Sequence, residues 1–326
     1  MPKRIRKITI IFRLCFLLGV LFLPPFFNYL FFPLTDTAFS RTDAPPVLKL
    51  LGEESINLRV GDEFVDPGAL ATDDYDRVLV SVEGAVDTST ADTYILDYST
   101  FDSAGHTASV SRTVTVLPAP RGTIYLTFDD GPGDYTNQLL DILKQYDVKV
   151  TFFVTGAGSD DVLRREYTEG HSIGLHTLSH NYSYVYASTA NFFSDLYAVQ
   201  DRVKNVTGYT STLMRFPGGS SNTVSARYDG GSHIMTRLTR EVEEKGFTYF
   251  DWNISSGDAG GATTADQVYE NTVSRLGDGD YVVLQHDIKP FSVDAVERII
   301  QYGLENGYEF KPLDASSFSA HHGVNN

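Results

Sequence analysis

Cysteine occurs once in the 326 residues, as Cys15. One thiol makes no intrachain disulfide and no cysteine metal site, so any bound metal must be held by other side chains. The residues before it, Phe12-Arg13-Leu14, are too bulky and charged for a lipoprotein cleavage box. Positive charge is also scarce: 26 Lys and Arg stand against 42 Asp and Glu, for a formal net charge of −16. Residues 1–13 hold five of the basic side chains (Lys3, Arg4, Arg6, Lys7, Arg13) and no acid, which leaves 21 basic against 42 acidic residues, or −21, for the rest. A body of that sign repels nucleic acid and anionic lipid, which removes nucleic acid from the candidate partners. Charge of either sign is absent from Leu14 to Leu34, 21 residues that suffice for a membrane-crossing helix, kinked at Pro24-Pro25. With the basic cluster ahead of it, this anchor predicts a single-pass cell-membrane protein with a cytoplasmic N-terminus and the remaining chain extracellular. The alternative is a cleaved signal peptide ending near Ala38-Phe39-Ser40. The anchor is preferred because the apolar run exceeds the roughly 7–15 residues of a signal core.

After this tail, anchor and linker (residues 1–43), short alternating runs separated by Gly, Asp and Pro turns mark strands, among them 56–60, 78–82 and 109–116. Their pattern predicts a small all-β sandwich over residues 44–118. The stretches Val60 to Gly68 and Asp97 to Ala108 resemble the immunoglobulin-like modules of bacterial surface proteins. Asp73-Asp74-Tyr75-Asp76 is read as a solvated turn in preference to a calcium site, and no chemistry is assigned to the module. Leu117-Pro118-Ala119-Pro120 is a stiff linker. From 119 to 326 strands near 123–128, 149–154, 172–175, 213–216, 247–250, 281–284 and 308–311 alternate with helices. Helices near 136–146, 189–206, 232–245 and 292–306 are amphipathic, and the last three stop at Gly208, Gly246 and Gly307. This alternation predicts an α/β fold, a parallel (β/α) barrel that is incomplete or distorted, whose strand C-termini converge on one mouth.

The strand ends carry polar clusters. Thr127-Phe128-Asp129-Asp130-Gly131-Pro132 delivers two adjacent carboxylates where Gly-Pro forces a turn. Like charges this close resist joint ionisation unless something positive lies beside them, and a bound metal is the simplest such group; an Asx turn is the plain alternative. His176-Thr177-Leu178-Ser179-His180 follows the third strand. Histidines at i and i+4 on one helical turn face the same way and can grip one ion. Two imidazoles and a carboxylate with water in the open position make a catalytic site rather than a structural one. Later strand ends carry Arg215-Phe216-Pro217-Gly218-Gly219, then Trp252 through Asp258, then Leu284-Gln285-His286-Asp287. Singly, Arg215 reads as a rim ion pair, Asp258 as a loop cap and His286 as a satisfied polar residue. Together at one mouth they point to one site.

In order and spacing these clusters resemble the motifs of the polysaccharide deacetylases, the NodB-homology or carbohydrate esterase family 4 enzymes, over about residues 121–314. The resemblance implies that Asp129 is the general base and that Asp130, His176 and His180 hold one divalent metal ion. Zn²⁺ leads, and Co²⁺, Mn²⁺, Ni²⁺ and Fe²⁺ are compatible with the same donors. By the same resemblance Arg215 orients the base, Asp258 tunes His286 as general acid, Leu284 lines the acetyl-methyl pocket, and Phe216 and Gly218 are further substrate contacts. Two positions depart from the family pattern: Gly218 stands where an aromatic is usual, and Ala259 follows Asp258 where Trp is usual. The first leaves a backbone N–H free for an oxyanion but removes a wall of the site. The implied activity is metal-dependent hydrolysis of N-acetyl groups of a cell-surface polysaccharide. Peptidoglycan N-acetylglucosamine is the expected substrate, chitin-like or poly-N-acetylglucosamine chains come next, and acetylxylan third.

Two rival readings have less support. Gly170-His171-Ser172-Ile173-Gly174 matches the G-x-S-x-G pattern of serine hydrolases, which needs a strand before the serine and a helix after it. Here a helical stretch precedes it and an extended one contains it. A non-catalytic glycan-binding surface protein would be marked by loss of a metal ligand or of Asp129, and none is lost.

Overall fold

A computed structural model describes residues 44–326. The expected membrane segment at 14–34 lies outside the described residues, among which no helix is long and apolar enough to cross a membrane. Six strands come first: β1 (Val47–Leu50), β2 (Ser55–Arg59), β3 (Ala69–Thr72), β4 (Ser81–Glu83), β5 (Asp92–Phe101) and β6 (Thr107–Leu117). The smaller of two compact units gathers Pro67–Glu83, Asp97–Ser111 and the described residues up to Gly52. Within it β1 pairs antiparallel with β3, and β4 antiparallel with the end of β5. The alternation in β5, where Tyr98 and Thr100 are buried between exposed neighbours, is the one-face-in pattern the sequence carries. Asp73 Oδ1 accepts the N–H groups of Tyr75 and Asp76 at 2.9 and 2.7 Å, the hydrogen bonds of an Asx turn.

The larger unit gathers Glu53–Asp66, Gly84–Leu96 and Arg112–Asn326, and in it β2 runs parallel to the end of β6. Beyond these come β7 (Thr123–Asp129), α1 (Thr136–Gln145), β8 (Thr151–Val154), α2 (Asp160–Thr168), β9 (Ser172–Leu175), α3 (Tyr182–Val185) and α4 (Thr189–Thr207). There follow β10 (Leu213–Met214), α5 (Ile234–Glu244), β11 (Thr248–Tyr249), β12 (Ile254–Ser255) and α6 (Ala265–Val273). The chain ends through β13 (Tyr281–His286), α7 (Pro290–Val293), α8 (Val296–Glu305) and β14 (Glu309–Phe310). The parallel sheet runs β11-β10-β9-β8-β7-β13-β12, with β14 paired to the start of β7. No pairing joins β11 to β12 among the described residues, so the barrel is open, as the incomplete alternation predicts. Two details differ from expectation: β12, only two residues long, gives no periodic signal, and the helix expected over 292–306 is broken into α7 and α8.

Every residue of β7 is buried, because parallel neighbours flank it and its two faces meet different cores. Ile124, Leu126 and Phe128 join the large cluster that includes Leu139, Leu143, Phe152 and Ile173. Tyr125 belongs to a smaller cluster with Phe153, Leu213, Phe250 and Val282. The helices start and stop where side chains satisfy their ends. Ser188 accepts from the Asn191 N–H at the start of α4, and Gly208 ends it with φ of 78°, a left-handed conformation that glycine adopts without a Cβ penalty.

Candidate active site

Side chains alternate along a strand, so the face of β7 that carries Tyr125 also carries Thr127 and Asp129. Register extends this face to β13, where Leu284 lies opposite Thr127 and His286 opposite Asp129. Arg215, just past β10, fills the space between. Its Nη1 donates to Thr127 Oγ1 at 2.7 Å and to Asp129 Oδ1 at 2.8 Å, its Nε to the Phe250 carbonyl at 3.0 Å and its Nη2 to the Asp251 carbonyl at 2.9 Å. The guanidinium also lies 4.2 Å over the Phe153 ring. A fully buried cation is thus matched by one carboxylate and by acceptors for three more of its N–H groups, and it fixes the orientation of Asp129.

A regular strand would send Asp130 to the opposite face. Instead its φ is 76°, and this turn brings its carboxylate to the same side as Asp129. Asp130 Oδ1 lies 3.6 Å from His176 Nε2 and 3.4 Å from His180 Nε2, is buried, and has no hydrogen-bond partner. An orphaned carboxylate oxygen facing two imidazole nitrogens is costly unless a cation sits between them, and the three residues offer ligand atoms within 4.8 Å of one another. His176 Nδ1 meets the Arg215 carbonyl at 2.9 Å, which leaves Nε2 as the free ligand atom. Burial, then the neighbouring His176, pushes the His180 pKa down, which favours the neutral form that a metal ligand requires.

The two histidines do not lie on one helical turn. Residues 176–181 form an irregular loop with Thr177 at φ 63° and His180 at φ 48°. Asp195 of α4 holds that loop: its side-chain Oδ1 accepts the Ser179 N–H at 2.9 Å and its carbonyl accepts the Leu178 N–H at 3.3 Å. Asp195 escaped the sequence reading because the contact is non-local and no motif marks it.

On the opposite side of Asp130, His286 Nε2 stands 3.8 Å from Asp130 Oδ2, while His286 Nδ1 meets Asp258 Oδ1 at 2.9 Å. Asp258 Oδ2 accepts from the His286 backbone N–H and from Ser292 Oγ, both at 2.7 Å. Burial works against the imidazolium, but the hydrogen bond and charge of Asp258, with Asp129 and Asp130 behind them, outweigh it and raise the His286 pKa. For Asp258 burial again opposes charge and is overcome by His286, so its pKa is lowered. The pair therefore favours imidazolium and carboxylate.

Asp129, Asp130, His176, His180 and His286 line a cavity of about 390 Å³ that Gly218, Ser255, Ala259, Leu284 and Lys289 complete, together with Tyr182 and Trp252. A second depression of about 540 Å³ beside Gly133, Gly158 and Ile288 holds no histidine and none of the clustered side chains. No motif in the sequence marks Tyr182, whereas Trp252 opens the cluster that ends at Asp258, without a role of its own. They close the side that Gly218 leaves without a wall: a Cβ on Gly218 would lie 2.6 Å from Tyr182 Oη, and one on Gly219 would lie 2.9 Å from the Trp252 ring. Burial, followed by the charges of Asp130 and Asp129, pushes the Tyr182 pKa to about 12, so the phenol is protonated at neutral pH. Phe216 is a correction. It follows Arg215 and points to the other face, where it is fully buried against Phe192 and Tyr249, with ring centroids at 5.4 and 5.3 Å, and does not line the cavity. Ser172 opens β9 after α2, so a helix precedes it and a strand follows, the reverse of the strand-to-helix turn that a nucleophilic serine needs.

The family model described as polysaccharide deacetylase matches residues 117–230, and that of the Ig-like domain of bacterial surface proteins matches residues 48–116. A peptidoglycan-N-acetylglucosamine deacetylase of Bacillus cereus is 36% identical over 205 residues, which cover 60% of this chain and 71% of that protein. Among solved structures, the catalytic domain of a peptidoglycan N-acetylglucosamine deacetylase from Eubacterium rectale superposes with a TM-score of 0.61 at 49% identity, covering 65% of this chain and 96% of that one. A polysaccharide deacetylase from Bacillus cereus gives 0.53 at 36% identity, over 63% and 96%. With the carboxylate pair, the two histidines, the buried arginine and the Asp258–His286 pair all meeting at one sheet end, the chain belongs to the polysaccharide deacetylase family.

Proposed function

We propose that the protein removes the acetyl group from N-acetylglucosamine residues of peptidoglycan, exposing free amines. The coarser statement, a polysaccharide deacetylase hydrolysing carbon–nitrogen bonds, follows from the family. The finer one is supported by the peptidoglycan deacetylases of Bacillus cereus and Eubacterium rectale that it resembles. The observation that carries the chemistry is the unpaired Asp130 Oδ1 facing both imidazoles between two differently held proton carriers, Asp129 and His286.

On this reading Asp130, His176 and His180 bind one divalent ion, which when bound acidifies a water molecule and polarises the acetyl carbonyl. Asp129, aimed by Arg215, takes the proton from the attacking water at its Oδ2, the oxygen that does not accept from Arg215. The Gly218 N–H, which makes no hydrogen bond among the described residues, faces the developing oxyanion. His286, kept charged by Asp258, protonates the leaving amine from Nε2. Leu284 lies against the acetyl methyl group.

Residues 44–118 and 119–326 are proposed as separate domains, in support of which the two family matches meet between 116 and 117. The proposed location is the outer face of the cell membrane, supported by the uncharged run at 14–34 and its basic flank. Protease added to intact cells should then digest the catalytic domain; protection until lysis would contradict the topology. Acetate release from purified peptidoglycan, chitin oligomers and acetylxylan at matched acetyl concentration tests the substrate. Activity confined to acetylxylan would overturn the peptidoglycan assignment.

A further inference from the structure

We propose that the Tyr182 hydroxyl is a second hydrogen-bond donor to the carbonyl oxygen of the scissile acetamide, acting beside the Gly218 N–H. The inference rests on the deacetylase reading of the same cleft and adds a substrate-contacting residue to it. Tyr182 opens α3, two residues after His180, where Asn181 caps the helix by accepting the Ser183 N–H at 3.1 Å. Its ring is held on two sides, edge-on to His180 with centroids 5.4 Å apart and to Tyr186 at 5.5 Å. Tyr186 is fully buried and donates from its own hydroxyl to the Pro217 carbonyl at 2.7 Å, so the brace is anchored to the residue before Gly218.

Held this way, the phenol oxygen occupies the space a Gly218 side chain would take, 2.6 Å from where its Cβ would lie. Gly218 itself has φ of 77°, in the left-handed region that a side chain disfavours. Neither Tyr182 Oη nor the Gly218 N–H makes a hydrogen bond among the described residues, and both Tyr182 and Gly218 line the cavity that contains Asp129, Asp130 and His286. Two unengaged donors that border the same cleft as the carboxylates and imidazoles match the one group of an acetamide that gains negative charge during attack. A donor placed for the oxyanion strengthens as charge develops and so acts on kcat rather than on substrate binding.

Tyr182→Phe keeps the ring and its contacts and removes only the hydroxyl. The expected result is a kcat lower by about 10²-fold with KM nearly unchanged and metal per chain equal to wild type. The loss should be smaller on an N-trifluoroacetyl analogue, whose fluorines already stabilise the oxyanion, a difference that a purely structural role would not produce. A rise in KM alone, loss of metal, an equal loss on both acyl groups, or an unchanged kcat beside an active wild type would each overturn this proposal alone. Failure of the wild type to release acetate from any of the glycans would overturn the deacetylase reading and this proposal with it.

Discussion

Replacing each of the adjacent carboxylates by its amide separates their roles, because the two are held in opposite ways. Asp129 is 3% exposed and accepts from the fully buried Arg215 at 2.8 Å. Asp129→Ala would leave that guanidinium without its counter-charge, at a cost of about 3–5 kcal/mol for a broken buried pair. Arg215 keeps Thr127 Oγ1 and the Phe250 and Asp251 carbonyls, so the lower end applies. Asp129→Asn retains an acceptor oxygen in place, which brings the cost to about 1–3 kcal/mol. Either change removes the proton acceptor and should lower kcat by about 10²–10⁴-fold while leaving metal bound. Asp130 differs, since its Oδ1 has no partner to lose and its φ of 76° is one that asparagine also tolerates. Asp130→Asn should therefore leave the metal-free protein as stable as wild type or more so, while sharply lowering metal affinity. The assay is acetate release, metal per chain by atomic emission, and thermal melting with and without divalent metal. Equal metal loss in Asp129→Asn and Asp130→Asn would refute the division of roles. A lower melting temperature for metal-free Asp130→Asn would refute the claim that this carboxylate is uncompensated.

Stripping the protein with a chelator should abolish acetate release and added divalent ion should restore it; full activity in a verified metal-free preparation would remove Asp130, His176 and His180 from the ligand set. The raised pKa of His286 sets the basic limb of the pH profile, since the charged donor is lost as pH rises through that value. Asp258→Asn takes away the main group holding the pKa up, so the fall in kcat/KM should move to lower pH, and an unmoved limb would deny Asp258 this role. Phe216→Ala should cost about 3–5 kcal/mol of stability with KM unchanged, as a core aromatic does; a raised KM with full stability would return Phe216 to the cleft.

What the sequence makes legible here is local. The run from Thr123 to Phe128 followed by Asp-Asp-Gly-Pro announces a buried strand and a turn, and Gly208 announces the end of α4, because each signal lies within the element it describes. The histidine pair shows the limit. Spacing of four suggests a helical turn, yet the nitrogens converge through two left-handed residues, Thr177 and His180, in a loop tied to Asp195. Phe216 shows another limit. Membership of a motif does not say which face a residue takes, and the alternation that points Arg215 inward points its neighbour into the core.

The cleft walls depend on still more distant parts of the chain. Gly218 reads as a gap when only its own segment is considered, but Tyr182 from the histidine loop and Trp252 from beyond β11 close it. Trp252 is in turn positioned by His322, whose Nε2 meets the Trp252 carbonyl at 2.6 Å and whose ring packs edge-on to the indole at 4.7 Å. The His322 backbone N–H donates to Asp251 Oδ2 at 2.8 Å, and the same carboxylate takes the Ser220 N–H and hydroxyl. Asp251 thus joins the loop after Gly219 to a segment beyond the last recognisable motif. The chemistry of the site is written at strand ends, where period-two alternation and neighbouring residues determine it. Its shape is set by contacts among residues as far apart as 182, 218, 252 and 322, so two chains with the same motifs can present different clefts to a glycan.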